Sequence, residues 1–158
     1  MAVLPIRADD LRLIAILDGG TPAFCAGEMP AAARDVLEGT ALRYADEGFT
    51  PPWIGYLALC GGEIVGSCAF VTPPRDGVVE IAFQTFEHHE GRGVATAMVQ
   101  RLLGLAYRNA PSSTVAARTP AREGAATRVL RKLDFRLRDC LRDPQDGVVW
   151  LWQRGVAA

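Results

Sequence analysis

Residues 78–108 read VVEIAFQTFEHHEGRGVATAMVQRLLGLAYR, and this stretch constrains the fold more than any other. It opens as an apolar strand with one acid inside it, Glu80. It passes the polar turn His88-His89-Glu90 and enters the loop Gly91-Arg92-Gly93. From Val94 the apolar residues Val94, Met98, Leu102, Leu105 and Ala106 recur at three and four, the spacing of a helix with one buried face. A strand that runs through a glycine loop into a helix start gathers unpaired backbone N–H groups at the positive end of the helix dipole. The residues alone leave two readings: an anion site for a phosphorylated cofactor, or glycines that only turn the chain. The third glycine of a dinucleotide fingerprint is replaced by Thr96, and no GK[ST] follows, so neither of those nucleotide motifs fits.

The surrounding chain supplies a sheet for this stretch. Residues 11–17 are a short apolar run that suits a strand or a brief helix, and Thr21-Pro22 suits the cap of a short helix through Phe24 and Cys25. Residues 29–46 suit a helix that Gly39 interrupts, leaving one segment or two. The prolines in residues 48–53 exclude regular structure. Residues 54–60 and 63–71 form a hairpin about Gly61-Gly62, and a turn at 73–77 delivers the chain into the strand of Glu80. After the central helix, 114–119 suits a strand. Thr119 and Pro120 suit the N-cap and first turn of a helix to Leu133. Residues 135–141 and 148–152 suit a closing hairpin, with the last strand closing the sheet. The expected class is α+β: a mixed, mostly antiparallel sheet of six or seven strands with helices on both faces, in one domain spanning 1–158.

Composition narrows the class. A net charge of −1 with 49% hydrophobic and 22% charged residues suits a soluble globular protein with no nucleic-acid partner. The basic residues that crowd between Arg118 and Arg142 alternate with acids and read as a solvated face. No leader, membrane span or metal-ligand spacing is evident, and the four cysteines lack CxxC spacing, so a cytoplasmic location without membrane contact is expected. Cys60 and Cys68 suit buried free thiols, and no His/Asp constellation supports Cys140 as a nucleophile.

The run from Glu90 to Thr96 resembles the acyl-CoA-binding motif [Q/R]-x-x-G-x-[G/A] of the GNAT N-acyltransferases, with Gly93 and Ala95 matching and Glu90 in place of Gln or Arg. A second segment, residues 119–135, is similar to T-x-x-x-N-x-x-S-x-x-V-L-x-K-L-G-F of the branch that includes ribosomal-protein alanine N-acetyltransferases. There Glu123 replaces the asparagine, Ala126 the serine and Asp134 the glycine. Leu130 stands where many members place a tyrosine acid. The resemblance implies acetyl-CoA as co-substrate, without a metal. It implies that amides of Gly91, Arg92, Gly93, Val94, Ala95 and Thr96 hold the pyrophosphate, with Arg92 adding a charged contact. It also implies that the strand end at Phe83, Gln84 and Thr85 bonds the pantetheine arm. Glu90 is expected to point away from the phosphates.

Transfer to an amine requires that the attacking ammonium lose a proton, and a carboxylate can take it directly or through water. Glu80 is the candidate: relatives with a glutamate at this strand position use it so, and partial burial would raise its pKa. A structural alternative is an ion pair with a nearby arginine. His88 and His89 suit a solvated turn, with a base or a contact to cofactor phosphate as the alternatives; Tyr107 suits packing, and Trp53 and Tyr56 suit the core or an acceptor pocket. The implied function is transfer of an acetyl group from acetyl-CoA to a primary amine by direct attack in a ternary complex. The acceptor is a small molecule or a peptide, and a homodimer is open. A non-catalytic acyl-CoA sensor on the same fold and an interaction domain without cofactor are the alternatives.

Overall fold

A computed structural model describes residues 5–24 and 27–155. Seven strands make one sheet: β1 (Arg12–Ala15), β2 (Gly55–Cys60), β3 (Glu63–Phe70), β4 (Val78–Thr85), β5 (Thr114–Pro120), β6 (Arg136–Asp143) and β7 (Gly147–Gly155). They lie in the order β1-β2-β3-β4-β5-β7-β6, and every neighbouring pair is antiparallel except β4 with β5. The helices are α1 (Ala31–Glu47), α2 (Val94–Asn109) and α3 (Ala125–Lys132). This is the mixed α+β architecture expected from the sequence. The last strand does not close the sheet, however. It inserts between β5 and β6 and leaves β6 at the edge, where Arg136, Arg138, Asp139 and Arg142 stand exposed.

Small residues set how closely the helices approach. A Cβ on Gly66 would fall 3.2 Å from the Met98 side chain, so α2 lies tightly on that face of β3. A Cβ on Gly55, which pairs with Ala69, would meet Thr40 and Tyr44 of α1. Gly66 and Ala69 differ by an odd number of residues on one strand, so α1 and α2 cover opposite faces. The stripe on α2 packs as its periodicity requires: Val94, Met98, Leu102 and Ala106 are buried against Val79 and Ile81 in the central cluster. Burying a side chain such as Leu102 contributes on the order of 2 kcal/mol.

Three sequence expectations are corrected. No helix starts at Thr21: Pro22 forms an isolated bridge with Ile16, and Ala23 N–H donates to Ala15 O. Cys25 lies outside the described residues. Thr119 and Pro120 do not open a helix, because β5 runs through both and pairs them with Trp150 and Val149; α3 starts five residues later than expected, at Ala125 after the N-cap Gly124. Thr119 is buried, and its Oγ1 accepts the indole N–H of buried Trp152 at 2.9 Å. Tyr107 is 55% exposed and does not pack. Gly39 leaves α1 unbroken. The hairpin at Gly61-Gly62 is as expected, with φ of 59° and 81°, the positive values a two-residue turn of this hand requires.

Candidate active site

The site begins where β4 and β5 part. Their parallel pairing runs from Val78↔Thr114 to Ile81↔Ala117 and stops. On the other side β4 stays paired with β3: Val71 N–H donates to Glu80 O and Phe86 N–H to Val65 O, so the even-numbered residues of β4 bond β3. In an antiparallel ladder the alternate residues turn their backbone groups the other way. Phe83 and Thr85 therefore aim N–H and C=O into the gap that β5 leaves.

A groove of about 450 Å³ continues this gap. Its floor is Phe83 and Thr85, one wall is the loop and first turn of α2, and the other is α3 through Ala126 and Val129. At the α2 end the backbone is shaped for an anion. Gly93 is the N-cap with φ 86°, and a Cβ there would fall 2.9 Å from the Ile6 carbonyl, so only glycine fits both conformation and space. The Ile6 strap is fixed in turn by its N–H donating to Arg92 O at 2.7 Å. The first intrahelical bond is Ala97 N–H to Gly93 O, so the amides of Val94, Ala95 and Thr96 precede the ladder, and no side chain caps them. Gly91, Gly93, Val94, Ala95 and Thr96 all line the groove.

Glu90 is exposed and borders the groove. The Arg92 side chain turns to His89, another residue of the groove lining: its Nη1 lies 3.2 Å from His89 Nδ1, while His89 Nε2 is 3.7 Å from Glu63. The Arg92 Nε is buried without a partner among the described residues. His88 is exposed, and His89 is mostly enclosed rather than solvated. Positive charge reaches the groove from α3 instead, through Arg128 and Lys132. Sequence reasoning missed these two. They are four apart, one helical turn, on the side that carries Val129, a spacing that could have shown them sharing a face.

The start of α3 is fixed by Glu123, which stands in place of the asparagine. Glu123 accepts the Thr127 hydroxyl at 2.9 Å and a bond from Arg131, and Thr127 Oγ1 accepts the Gly124 N–H. The Arg131 bond, then that of Thr127, holds the Glu123 carboxyl below its usual value of 4.5. At the far end Asp134 takes φ 66°, the left-handed position that ends a helix, with Phe135 N–H donating back to Leu130 O. A glycine would suit that conformation best, which accounts for its place in the resembling segment. Leu130 is fully buried.

The opposite face of β4 carries Glu80, Ala82 and Gln84. Ala82 and Gln84, with Ser67 and Ala69 of β3, floor a cleft of about 190 Å³ under α1, while Gln84 lies outside the groove between α2 and α3. Phe83 borders both spaces. Glu80 is partly buried, and its Oε1 accepts Arg118 Nε at 3.1 Å; Arg118 Nη1 also reaches Asp143 Oδ2 at 3.4 Å. Arg118 stands two residues beyond Ala116, the register partner of Glu80, and so shares its face. Glu80 Oε2 has no partner among the described residues.

The tyrosines are committed elsewhere. Tyr44 OH donates to Ile16 O and accepts Gly55 N–H; Tyr56 OH donates to Pro52 O, and burial pushes its pKa up to about 12. Trp53 packs edge-on against Phe70 and lines a recess at the end of α1. Cys68 is a buried thiol, its pKa raised by desolvation, and Cys140 is exposed. Among the described residues no group of side chains could hold a metal, and no helix is long and apolar enough to cross a membrane.

Residues 4–136 match the family model described as an acetyltransferase (GNAT) domain. Similar solved structures include RimL, a ribosomal L7/L12 α-N-protein acetyltransferase, at 19% identity and TM-score 0.67 over 93% of this chain and 94% of that one. The microcin C7 self-immunity acetyltransferase MccE, in complex with acetyl-CoA and AMP, aligns at 11% identity and TM-score 0.62 over 79% and 71%. RimJ of Mycobacterium smegmatis, in complex with CoA-disulfide, aligns at 17% identity and TM-score 0.62 over 77% and 60%. A search of curated proteins by sequence gives no match.

Proposed function

Since the chain belongs to the GNAT acetyltransferases and uses acetyl-CoA, we propose that it transfers the acetyl group to a primary amine by direct attack in a ternary complex. The observation that carries this reading is the parting of β4 from β5, with a groove on one face and a cleft on the other that meet at Phe83. A thioester in the groove and an amine in the cleft approach each other there without a covalent enzyme intermediate.

In this reading the amides from Gly91 to Thr96 bind the pyrophosphate, because they begin a helix and lack internal partners. Arg92 serves through its backbone, its side chain being taken up by His89. Arg128 and Lys132 add charge along the cofactor, which offsets Glu90. Backbone groups of Phe83 and Thr85 bond the pantetheine arm, and an N–H there polarises the thioester carbonyl. Gln84 contributes from the acceptor side.

Glu80 is the proposed base. Arg118 fixes one carboxylate oxygen and leaves Oε2 to take the ammonium proton through water along the row of Ala82 and Gln84. With Leu130 buried and the tyrosines engaged or outside the groove, the departing thiolate is protonated by solvent. A peptide N-terminus and a small amine both fit this chemistry.

Calorimetry with acetyl-CoA, followed by thiol release with an amine panel, tests the reading. Binding and amine-dependent thiol release are expected. Binding without release to any amine would leave the non-catalytic sensor, and absence of binding would sink both.

A further inference from the structure

The cleft under α1 has a charge character of its own. Val36, Thr40 and Arg43 line it from α1 at the four- and three-residue spacing of one helix face. Opposite stand Ser67 and Gln84, which carry hydrogen-bonding groups, and the small residues Gly55, Ala69 and Ala82. Arg43 is the cation in this lining, and no acid joins it. It is half-buried, yet it makes no ion pair and no side-chain hydrogen bond among the described residues. Glu47, one turn on, lines the adjoining recess with Arg43 and Arg75 but pairs with neither.

The Arg43 guanidinium has no anionic partner among the described residues, and its planar fork of donors matches a carboxylate or phosphate. A polyamine would meet the opposite arrangement, an added cation against Arg43 with no carboxylate in the cleft. We propose that the acceptor is a small amine bearing an anionic group, a carboxylate or a phosphate, which Arg43 binds while the amine lies toward Glu80 and Gln84. This rests on the acetyltransferase reading above and deepens it by assigning the acceptor class. The anion anchors the acceptor at the α1 end of the cleft, and the neutral amine attacks at the Phe83 end.

The test uses matched acceptors that differ in one anionic group: glycine with glycinamide, alanine with alaninamide, phosphoethanolamine with ethanolamine, and spermidine as a polycation. Thiol release from acetyl-CoA is followed for the full chain and for Arg43→Gln and Arg43→Lys. An anionic member should exceed its neutral counterpart by about tenfold or more in kcat/KM. Arg43→Gln should erase that ratio through KM, Arg43→Lys should restore part of it, and acetyl-CoA affinity by calorimetry should not move. Which pair shows the ratio decides between carboxylate and phosphate. Equal use of neutral members, preference for spermidine or an uncharged peptide, or a ratio that survives Arg43→Gln would overturn the proposal. So would acetyl-CoA binding with no turnover of any anionic member, which leaves the cofactor site standing. Loss of acetyl-CoA binding in the parent chain removes the acetyltransferase reading itself.

Discussion

Arg118 Nε stands 3.1 Å from Glu80 Oε1 and bridges it to Asp143 at the end of β6. The carboxylate proposed as base is thereby held by a residue of the neighbouring strand, on the far side of the point where the two strands part. Glu80→Gln keeps the shape and removes the proton acceptor. A fall in kcat of about a hundredfold or more is expected, with acetyl-CoA affinity unchanged. An unchanged kcat in single-turnover assays would move the base elsewhere. Arg118→Met should cost less, because it loosens the carboxylate without deleting it.

Gly93→Ala should damage both fold and cofactor binding. The position has φ 86° and no room for a Cβ beside the Ile6 carbonyl. The left-handed conformation alone costs roughly 1–2 kcal/mol for a residue with a Cβ. Chemical denaturation should show at least that loss, and calorimetry a weaker site for acetyl-CoA.

Charge from α3 should be read out by the cofactor's phosphates. Arg128→Ala and Lys132→Ala are both on an exposed helix surface, so each should weaken acetyl-CoA by about three- to tenfold, more at low salt than at high. Repeating the titration with dephospho-coenzyme A identifies which of them meets the 3′-phosphate, since that variant's penalty then disappears. Equal affinities in parent and variants would place the cofactor outside the reach of α3.

Acid should loosen the start of α3. Glu123 is held below its usual value of 4.5 in the folded chain, by Arg131 first and Thr127 second. A depressed carboxyl contributes stability that is fully present above the unfolded value and is lost as pH falls through the folded one. Thermal melts below pH 4.5 should therefore fall more steeply for the parent than for Glu123→Gln, with the two curves parallel above it. Parallel curves at all pH values would mean the contact contributes nothing in solution.

The Trp152 indole is buried and donates to Thr119 Oγ1. Thr119→Val preserves shape and deletes the acceptor, which should cost about 1–3 kcal/mol for an unsatisfied buried donor. Denaturant unfolding measures it, and a loss below a few tenths would show that the indole finds another acceptor.

What the sequence made legible was local. The meander, its diglycine turn and the amphipathic α2 each follow from patterns among residues close in the chain, and the groove backbone follows from the loop that starts α2. What stayed hidden depends on distant partners. Thr119-Pro120 has the chemistry of a helix start, but pairing with Trp150 and Val149 some thirty residues on holds both in a strand. Pro22 likewise belongs to a bridge rather than a cap. The guanidinium of Arg92 meets His89, a partner three residues back, while Arg128 and Lys132, both exposed, border the groove because α3 is set beside it. Glu80 stood out as an acid in an apolar strand, and the arginine beside it came from β5, 38 residues later.

The short seam between β4 and β5 has a mechanical consequence. Four paired positions join the meander to the β5-β7-β6 half of the sheet, and beyond them the halves diverge. A ligand that accepts from and donates to Phe83 and Thr85 while resting on α3 acts as a stitch across that opening. Its binding energy is then also cohesion between the two halves. At a concentration one hundred times its dissociation constant such a ligand adds about 2.7 kcal/mol of resistance to unfolding. In the proposed reading acetyl-CoA is a structural member of the sheet for as long as it is bound, and release of coenzyme A after each turnover returns the protein to a more easily parted form.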